Sequence, residues 1–387
     1  MENKKGVIVH IIPRGYVEGR AYQENILPRK HSELGYETHI ITSQMTFALT
    51  SRDQTIVNTR NYVNNGGVYV HVLRATNKWI RYIKGISCVG LYKMLSEITP
   101  NIIFIHGVSS GENKIIKKYV KKFSDVVVYA DCHRDYYNAP EKTIKQKIEG
   151  FMSRRYAKVL ENIVEKFWGT TPWRVDYLRD YYHLPPSKID LLIMGGDEKV
   201  IKDFDYRKGY KDIRDKYNIP EDAFLVITGG VIDKRKHQDL LMDAVSQLKE
   251  KNVWLLLFGM PTEEMKPICE EYKEKDNIIF AGWVDADYSN QLLLVADLAV
   301  YPGTHSVLWE QGAACGLPQI VRHWSGMEHI NVNGNALLVD NVNIESLKNE
   351  IEKLVFTEEY YKMKTKAKEA APNFYYIEIA KKSIELI

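Results

Sequence analysis

Short, wholly apolar runs alternate along this chain with longer stretches whose apolar positions recur three or four residues apart. That pattern predicts buried parallel strands laid between amphipathic helices. Gly6–Ile12 predicts a strand, residues 13–19 a loop, Tyr22–Leu34 a helix ended by Gly35, and Glu37–Thr42 the next strand. This β–loop–α–β opening is the first unit of a doubly wound α/β fold. Asn64-Asn-Gly-Gly67 predicts a hairpin-type turn into an alternating strand, Val68–Leu73. Asn101–Ile105 and Val126–Ala130 predict strands ending at His106-Gly107 and at Asp131-Cys-His133. Phe167–Pro172 reads as a strand feeding a helix, and Ile189–Asp197 as a strand running into the Gly195-Gly196 turn. The polar segment from there to about Ile219 reads as a crossing between domains. The rhythm then restarts, with strands at Phe224–Thr228, Val253–Gly259, Ile278–Gly282 and Leu337–Val339 and helices at Gln238–Lys249 and Glu263–Lys275. Two Rossmann-like domains facing a cleft are expected, over 1–195 and 196–370, with helices closing the chain through Ile387.

Two stretches of the second half carry candidate chemistry. The run Leu292–Tyr301 predicts a short helix and a buried strand, which Pro302-Gly303 breaks. Ser306 is placed to cap a following helix that Gly316 closes and Pro318 keeps from continuing. A helix N-terminus presents backbone N–H groups and a positive dipole end, a seat for phosphate. Glu310, about one turn in, could hold a sugar hydroxyl there; the plain alternative is a strand–helix unit with a solvated glutamate. Earlier, Gly229-Gly230-Val-Ile-Asp233-Lys234-Arg235-Lys236 sets three cations between a strand and a helix. Glycines admit close approach of a ligand and the cations neutralise phosphate, unless the turn is simply a charged loop. His106 and His133 stand at the carboxyl ends of strands, where α/β sheets gather ligands.

Composition narrows the classes. The 387 residues exceed one ordinary core, and 53 basic against 50 acidic side chains give a net charge of +3, no reason to invoke nucleic acid. Four cysteines, Cys88, Cys132, Cys269 and Cys315, lack metal-ligand spacing and fit a reduced, cytoplasmic compartment. The first residues do not read as a signal peptide, and no apolar run reaches the ~20 residues of a membrane helix. Gly15 and Gly19 do not form a dinucleotide fingerprint. Lysines 117, 118, 121 and 122 surround an apolar stripe (Ile115, Ile116, Tyr119, Val120, Phe123), and Lys142, Lys145, Lys147, Arg154, Arg155 and Lys158 follow. Solvated helix faces are the first reading of these, and peripheral contact with anionic lipid at the inner face of the cell membrane is the sharper one.

Together these residues resemble the retaining, family 4-like glycosyltransferases of GT-B fold. Tyr22–Asn25 with Leu34–Thr42 is similar to that family's first helix and second strand, and Ile193–Asp197 to its interdomain turn. Gly230–Lys236 is similar to its glycine–lysine element, which implies that Lys236 binds the donor diphosphate. Phe280–Val284 is similar to the strand whose following backbone holds the nucleotide base. Glu310–Pro318 is similar to its E-A-x-x-x-G-x-P motif, which implies that Glu310 binds the donor ribose. His133 matches a histidine facing the donor sugar across the cleft. The resemblance implies His133, Lys236 and Glu310 as the catalytic set, and Gly19, His106, Gly230, Arg235, Val284, His305, Ser306, Val307 and Leu308 as substrate-binding. It implies no metal and no cofactor, the nucleotide-sugar being a substrate. The donor is expected to be UDP-linked and the acceptor a saccharide or lipid-linked saccharide of surface polysaccharide. It also implies that 371–387 crosses back to the first domain. Three positions depart from the family. Val231 replaces an arginine whose charge Arg235 would supply, His237 replaces a glycine, and Pro302 stands at the family's first glutamate, with His305 as its surrogate. A non-catalytic nucleotide-sugar-binding subunit and a nucleotide-sugar 2-epimerase are the rival readings.

Overall fold

The computed structural model describes residues 5–13, 15–20, 22–47, 54–137 and 143–386. Lys142, Ile387, Arg14 in the first loop and the first four residues, all part of the sequence reading, lie outside the described residues. The chain forms two compact units, Met1–Ile193 with Ile379–Ile387, and Met194–Glu378.

In the first unit the strands are β1 (Val7–Ile12), β2 (Glu37–Ser43), β3 (Met45–Phe47), β4 (Gln54–Ile56), β5 (Arg60–Val63), β6 (Tyr69–Leu73), β7 (Ile102–His106), β8 (Val127–Cys132), β9 (Lys166–Gly169) and β10 (Ile189–Leu191). Eight of them form one sheet in the order β10-β9-β8-β7-β1-β2-β6-β5, parallel except for the edge strand β5, which pairs antiparallel to β6. The Asn64 side chain closes that turn by accepting from the N–H groups of Gly66 and Val68. The central strands are apolar on both faces because helices cover both. Val9, Ile11, Ile103, Ile105, Val128 and Ala130 meet Leu91, Leu95, Ile116 and Tyr119 of the helices Leu91–Ile98 and Glu112–Lys122. Since β1 lies between β2 and β7, the winding reverses there, and His106 closes β7 at that reversal.

The second unit holds β11 (Phe224–Gly229), β12 (Val253–Phe258), β13 (Ile278–Gly282), β14 (Leu298–Tyr301), β15 (Gln319–Arg322) and β16 (Ala336–Val339). They form an all-parallel sheet in the order β13-β12-β11-β14-β15-β16. Here the reversal falls between β11 and β14, the two strands that end in the Gly229-Gly230 and Pro302-Gly303 turns.

The polar segment read as a crossing is instead two helices of the second unit, Glu198–Asp203 and Tyr206–Lys216. Asp197 and Asp205 start them by accepting from the N–H groups of Lys199 and Lys208. Caps of this kind let a polar sequence hold a helix that burial alone would not. The helices Lys78–Lys84 and Leu91–Ile98 also went unread, although Leu91, Met94, Leu95 and Ile98 recur at helical spacing and pack on the core. Among the described residues no helix is long and apolar enough to cross a membrane.

Candidate functional site

In the second unit the candidate residues gather at the carboxyl ends of β11 and β14, the reversal where open α/β sheets bind ligands. The turn after β11 needs glycine. Gly230 has φ +88°, and a Cβ there would stand 2.5 Å from Lys236 Nζ, 3.5 Å from Leu308 Cδ1 and 3.9 Å from Ser306 Oγ. Lys234–Lys236 form a turn of 3-10 helix capped by Asp233, whose side chain accepts from the Lys236 N–H at 3.1 Å. That turn aims Lys236 back over the glycines, its Nζ 3.4 Å from the Gly229 carbonyl. On the other side, the Thr304 N–H donates to the Arg235 carbonyl, and a Cβ on Gly303 would lie 2.3 Å from Lys236 Cα. The result is a small pocket lined by Thr228, Gly229, Lys236, Gln238, Tyr301, Pro302, Gly303, Thr304 and Ser306. Arg235 Nη2 bonds Asp233 Oδ2 at 2.5 Å, so its charge is paired within the turn. His237 has φ +52°, the left-handed conformation that explains why a glycine suits this position. Gly259, φ +120°, donates to the Gly282 carbonyl, and its missing Cβ would lie 1.9 Å from the Gly230 oxygen. Val284 follows two residues after that glycine.

The helix after β14 is Leu308–Ala314, seven residues long. Ser306 does not cap it: Val307 holds the N-cap position in αR backbone with no side-chain bond, and the Ser306 carbonyl accepts from the Trp309 N–H. Ser306 instead lines the pocket, its Oγ 3.9 Å from where a Cβ on Gly230 would stand. At the other end Gly316 (φ +67°) bonds to Ala313 and Leu317 to Gly312, a Schellman close that satisfies the last carbonyls.

Glu310 is fully buried. Its Oε1 accepts from His305 Nε2 at 2.8 Å and His329 Nε2 at 2.9 Å, while Oε2 is buried without a hydrogen-bond partner. Burial pushes its pKa up, but His305 and His329 pull harder and leave it at about 2. His305 also stands edge-on to Trp309, with centroids 5.1 Å apart. His329 was missed in the sequence, where a single histidine 19 residues from its partner leaves no spacing signal. A depressed carboxylate stabilises the fold above its unfolded value of 4.5 and loses that contribution as pH falls towards about 2. Glu310→Gln is therefore expected to cost roughly 1.5–3 kcal/mol near neutral pH, a deficit that closes as pH falls between those values. Thermal melts across that acid window check this, and a variant whose deficit persists unchanged to the lowest pH refutes it.

The first unit holds its own cluster, built on Asp131. His106 Nδ1 lies 2.7 Å and His133 Nε2 3.4 Å from Asp131 Oδ2, and the Gly107 N–H donates to Oδ1 at 3.0 Å. Asp131 is fully buried, whereas a third of the His133 side chain is exposed. Behind His106 the contacts continue to His10 (3.0 Å), then His31 (3.0 Å), then Ser383 Oγ (3.0 Å) and the Ala380 carbonyl (3.1 Å). Their directions are set from the far end. The Ser383 hydroxyl donates to the Ala380 carbonyl, so both oxygens accept from His31 Nε2–H. His31 Nδ1 then accepts from His10 Nε2–H, and His10 Nδ1 from His106 Nε2–H. At the near end His106 Nδ1 meets the Asp131 carboxylate, which can only accept. Burial holds His31 near pKa 4 and, with His31 and His106 beside it, His10 well below its usual range, so both are neutral links. Asp131, which burial alone would raise, is held well below the usual carboxylate range by His106 and His133. Burial lowers the His133 pKa, but Asp131 raises it further, and the net shift is upward. Gly19 (φ +78°) lies in the exposed loop after β1 with open space around it.

Each cluster, His106–Asp131–His133 and His305–Glu310–His329, brings two imidazole nitrogens and a carboxylate oxygen within 4.8 Å of one another. These are donor types a transition metal accepts. Hydrogen bonds of 2.7–2.9 Å already join most of these atoms, and His329 Nδ1 lacks the outer partner that a ligating histidine ordinarily has.

Residues 209–374 match the family model described as "Glycosyl transferases group 1". The lipopolysaccharide core biosynthesis glycosyltransferase LpsD of Rhizobium meliloti is 29% identical over 125 residues, 31% of this chain and 36% of that protein. LpsE of the same organism is 27% identical over 146 residues, 37% of this chain and 42% of its own. The chain thus matches less than half the length of these relatives. Over nearly the whole chain, the fold is similar to Anabaena HepE solved with UDP (TM-score 0.69, 14% identity, 98% of this chain and 99% of that one). It is similar also to WaaG, a glycosyltransferase involved in lipopolysaccharide biosynthesis (TM-score 0.67, 14% identity, 98% and 99%), and to a sucrose-phosphate synthase of Thermosynechococcus elongatus (0.71, 17%, 99% and 98%). The chain has the GT-B fold, and its second unit carries the Glycosyl transferases group 1 signature.

Proposed function

We propose that this chain is a retaining glycosyltransferase that moves a hexosyl group from a nucleotide-sugar, UDP-linked, to a saccharide or lipid-linked saccharide acceptor of cell-surface polysaccharide. The observation that carries this reading is the convergence of Lys236, Gly230, Ser306 and Leu308 at the β11/β14 reversal. The departing diphosphate needs cationic and N–H partners as charge develops on its oxygens. Lys236 and the N–H groups at Ser306–Leu308 supply them without a metal, and no cofactor takes part. Glu310 serves the donor ribose: its buried, unpartnered Oε2 is an acceptor waiting for a hydroxyl, while His305 and His329 hold the other oxygen. His133, whose pKa Asp131 raises, acts on the donor sugar. The N-terminal unit takes the acceptor, and the work is cytoplasmic, at the inner face of the membrane. The lipopolysaccharide-core relatives support the substrate class.

The test is donor consumption across UDP-, GDP- and ADP-sugars, with the anomeric configuration of any product read by NMR. A UDP-sugar is expected to be consumed and its anomeric configuration kept. Nucleotide binding without turnover of any donor would favour a non-catalytic subunit, and release of a 2-epimer would favour the epimerase.

A further inference from the structure

Gln238 opens the helix Gln238–Ser246, directly after the Lys234–Lys236 turn and His237. It is 1% exposed and lines the same pocket as Lys236. One end of its amide is committed. Oε1 accepts from the Asp233 N–H at 3.1 Å, and because a backbone N–H can only donate, the oxygen and nitrogen of this amide cannot be exchanged. The other end, Nε2, is buried without a hydrogen-bond partner. Asp233 is itself fixed, its carboxylate accepting from the Lys236 N–H and from Arg235 Nη2. One aspartate therefore sets the backbone of the lysine and the plane of the glutamine together.

Two N–H groups buried with no acceptor cost free energy until something supplies an oxygen. Among the described residues that line the pocket there is no carboxylate; beside the Lys236 ammonium stand the hydroxyl residues Thr228, Thr304 and Ser306. The helix that Gln238 opens is nine residues long and brings its positive dipole end to the same wall. An ammonium, an amide donor and a helix N-terminus together favour an anionic oxygen over a neutral one. We infer that Gln238 is a phosphate-binding residue, its Nε2 donating to an oxygen of the donor diphosphate beside Lys236. The two side chains do different work. A lysine is a flexible point charge that follows the anion, whereas the amide cannot swing without releasing Asp233 and so fixes one oxygen in place. That assignment rests on the diphosphate reading of this pocket, and inorganic pyrophosphate, which carries neither base nor sugar, tests it apart from transfer.

Calorimetry compares UDP, inorganic pyrophosphate and uridine. Gln238→Glu keeps an oxygen for the Asp233 N–H and puts a second oxygen where the N–H donors were. It is expected to bind UDP and pyrophosphate at least tenfold more weakly and uridine unchanged. Gln238→Met, of similar length but without donor or charge, should weaken UDP about tenfold, and it covers the case in which a buried carboxylate unfolds the turn. A glutamate can also act by pairing with the Lys236 ammonium. Lys236→Ala closes that route, and in its background Gln238→Glu should weaken UDP by a further factor of about ten. A folded variant of either kind that binds UDP and pyrophosphate like wild type overturns the inference. So does a loss that vanishes in the Lys236→Ala background, or one that falls equally on uridine. If the inference fails in these ways while wild type still consumes a UDP-sugar, the transfer reading stands. If wild type binds pyrophosphate through Gln238 and consumes no donor, the inference stands and the transfer reading falls.

Discussion

Asp131→Asn is expected to destabilise the first unit by about 3–5 kcal/mol, the cost of breaking a buried ion pair from one side. The variant keeps the shape of the carboxyl group and removes its charge, which takes the buried anionic partner from His106 and removes what raises the His133 pKa. The pH dependence has a definite sign. Asp131 has a depressed pKa, so its contribution is present above its unfolded value of 3.8 and is lost as pH falls through the lower folded value. His133 has a raised pKa, so its contribution is full below its unfolded value of 6.5 and is lost as pH rises through the higher folded one. The gap between wild type and Asp131→Asn should therefore be widest between about pH 4 and 6.5 and narrow on both sides. Thermal melts of both proteins over the pH range, with the His133 ring resonance followed by NMR, test this. A gap constant in pH, or a His133 titration that the substitution does not lower, refutes the ion-pair account.

Strands were legible where burial made them wholly apolar, and the glycine turns where φ must be positive. Gly6–Ile12, Asn101–Ile105 and Phe224–Thr228 are bounded by such signals, and the observed strands begin or end within two residues of them. The capped helices Glu198–Asp203 and Tyr206–Lys216 read as a linker because they are rich in charge and the second buries only Ile213 and Arg214. Asp131 and His133 were read together at a strand end. Their i, i+2 spacing puts both side chains on one side of an extended chain, and that is the signal that could have named the aspartate as the hub. No such signal exists for His10, His31 and His106, which come from three separate elements, or for His329. His10 and His106 meet only once the parallel register sets β1 beside β7.

Lys236→Ala is expected to lower the affinity for UDP about tenfold or more, a loss of roughly 1.5–3 kcal/mol for one charge-assisted contact to phosphate. The fold should survive, because the Lys236 backbone, not its ammonium, carries the bonds that shape the turn: its N–H to Asp233, and the neighbouring Arg235 carbonyl to Thr304. Uridine, which lacks phosphate, should bind wild type and variant alike, and UMP should lose less than UDP. The geometry provides an independent route to the same effect. A methyl on Gly230 would lie 2.5 Å from the ammonium and must displace it, and it also strains a backbone at φ +88°. Gly230→Ala should thus weaken UDP by a similar factor, and the double variant by little more than either single one, the non-additivity of two changes acting on one contact. Calorimetry of the four proteins with UDP, UMP and uridine decides the matter. If Lys236→Ala is folded and binds UDP like wild type, the diphosphate does not lie at this reversal. If both changes weaken uridine as much as UDP, or their effects simply add, Lys236 shapes the pocket without touching phosphate.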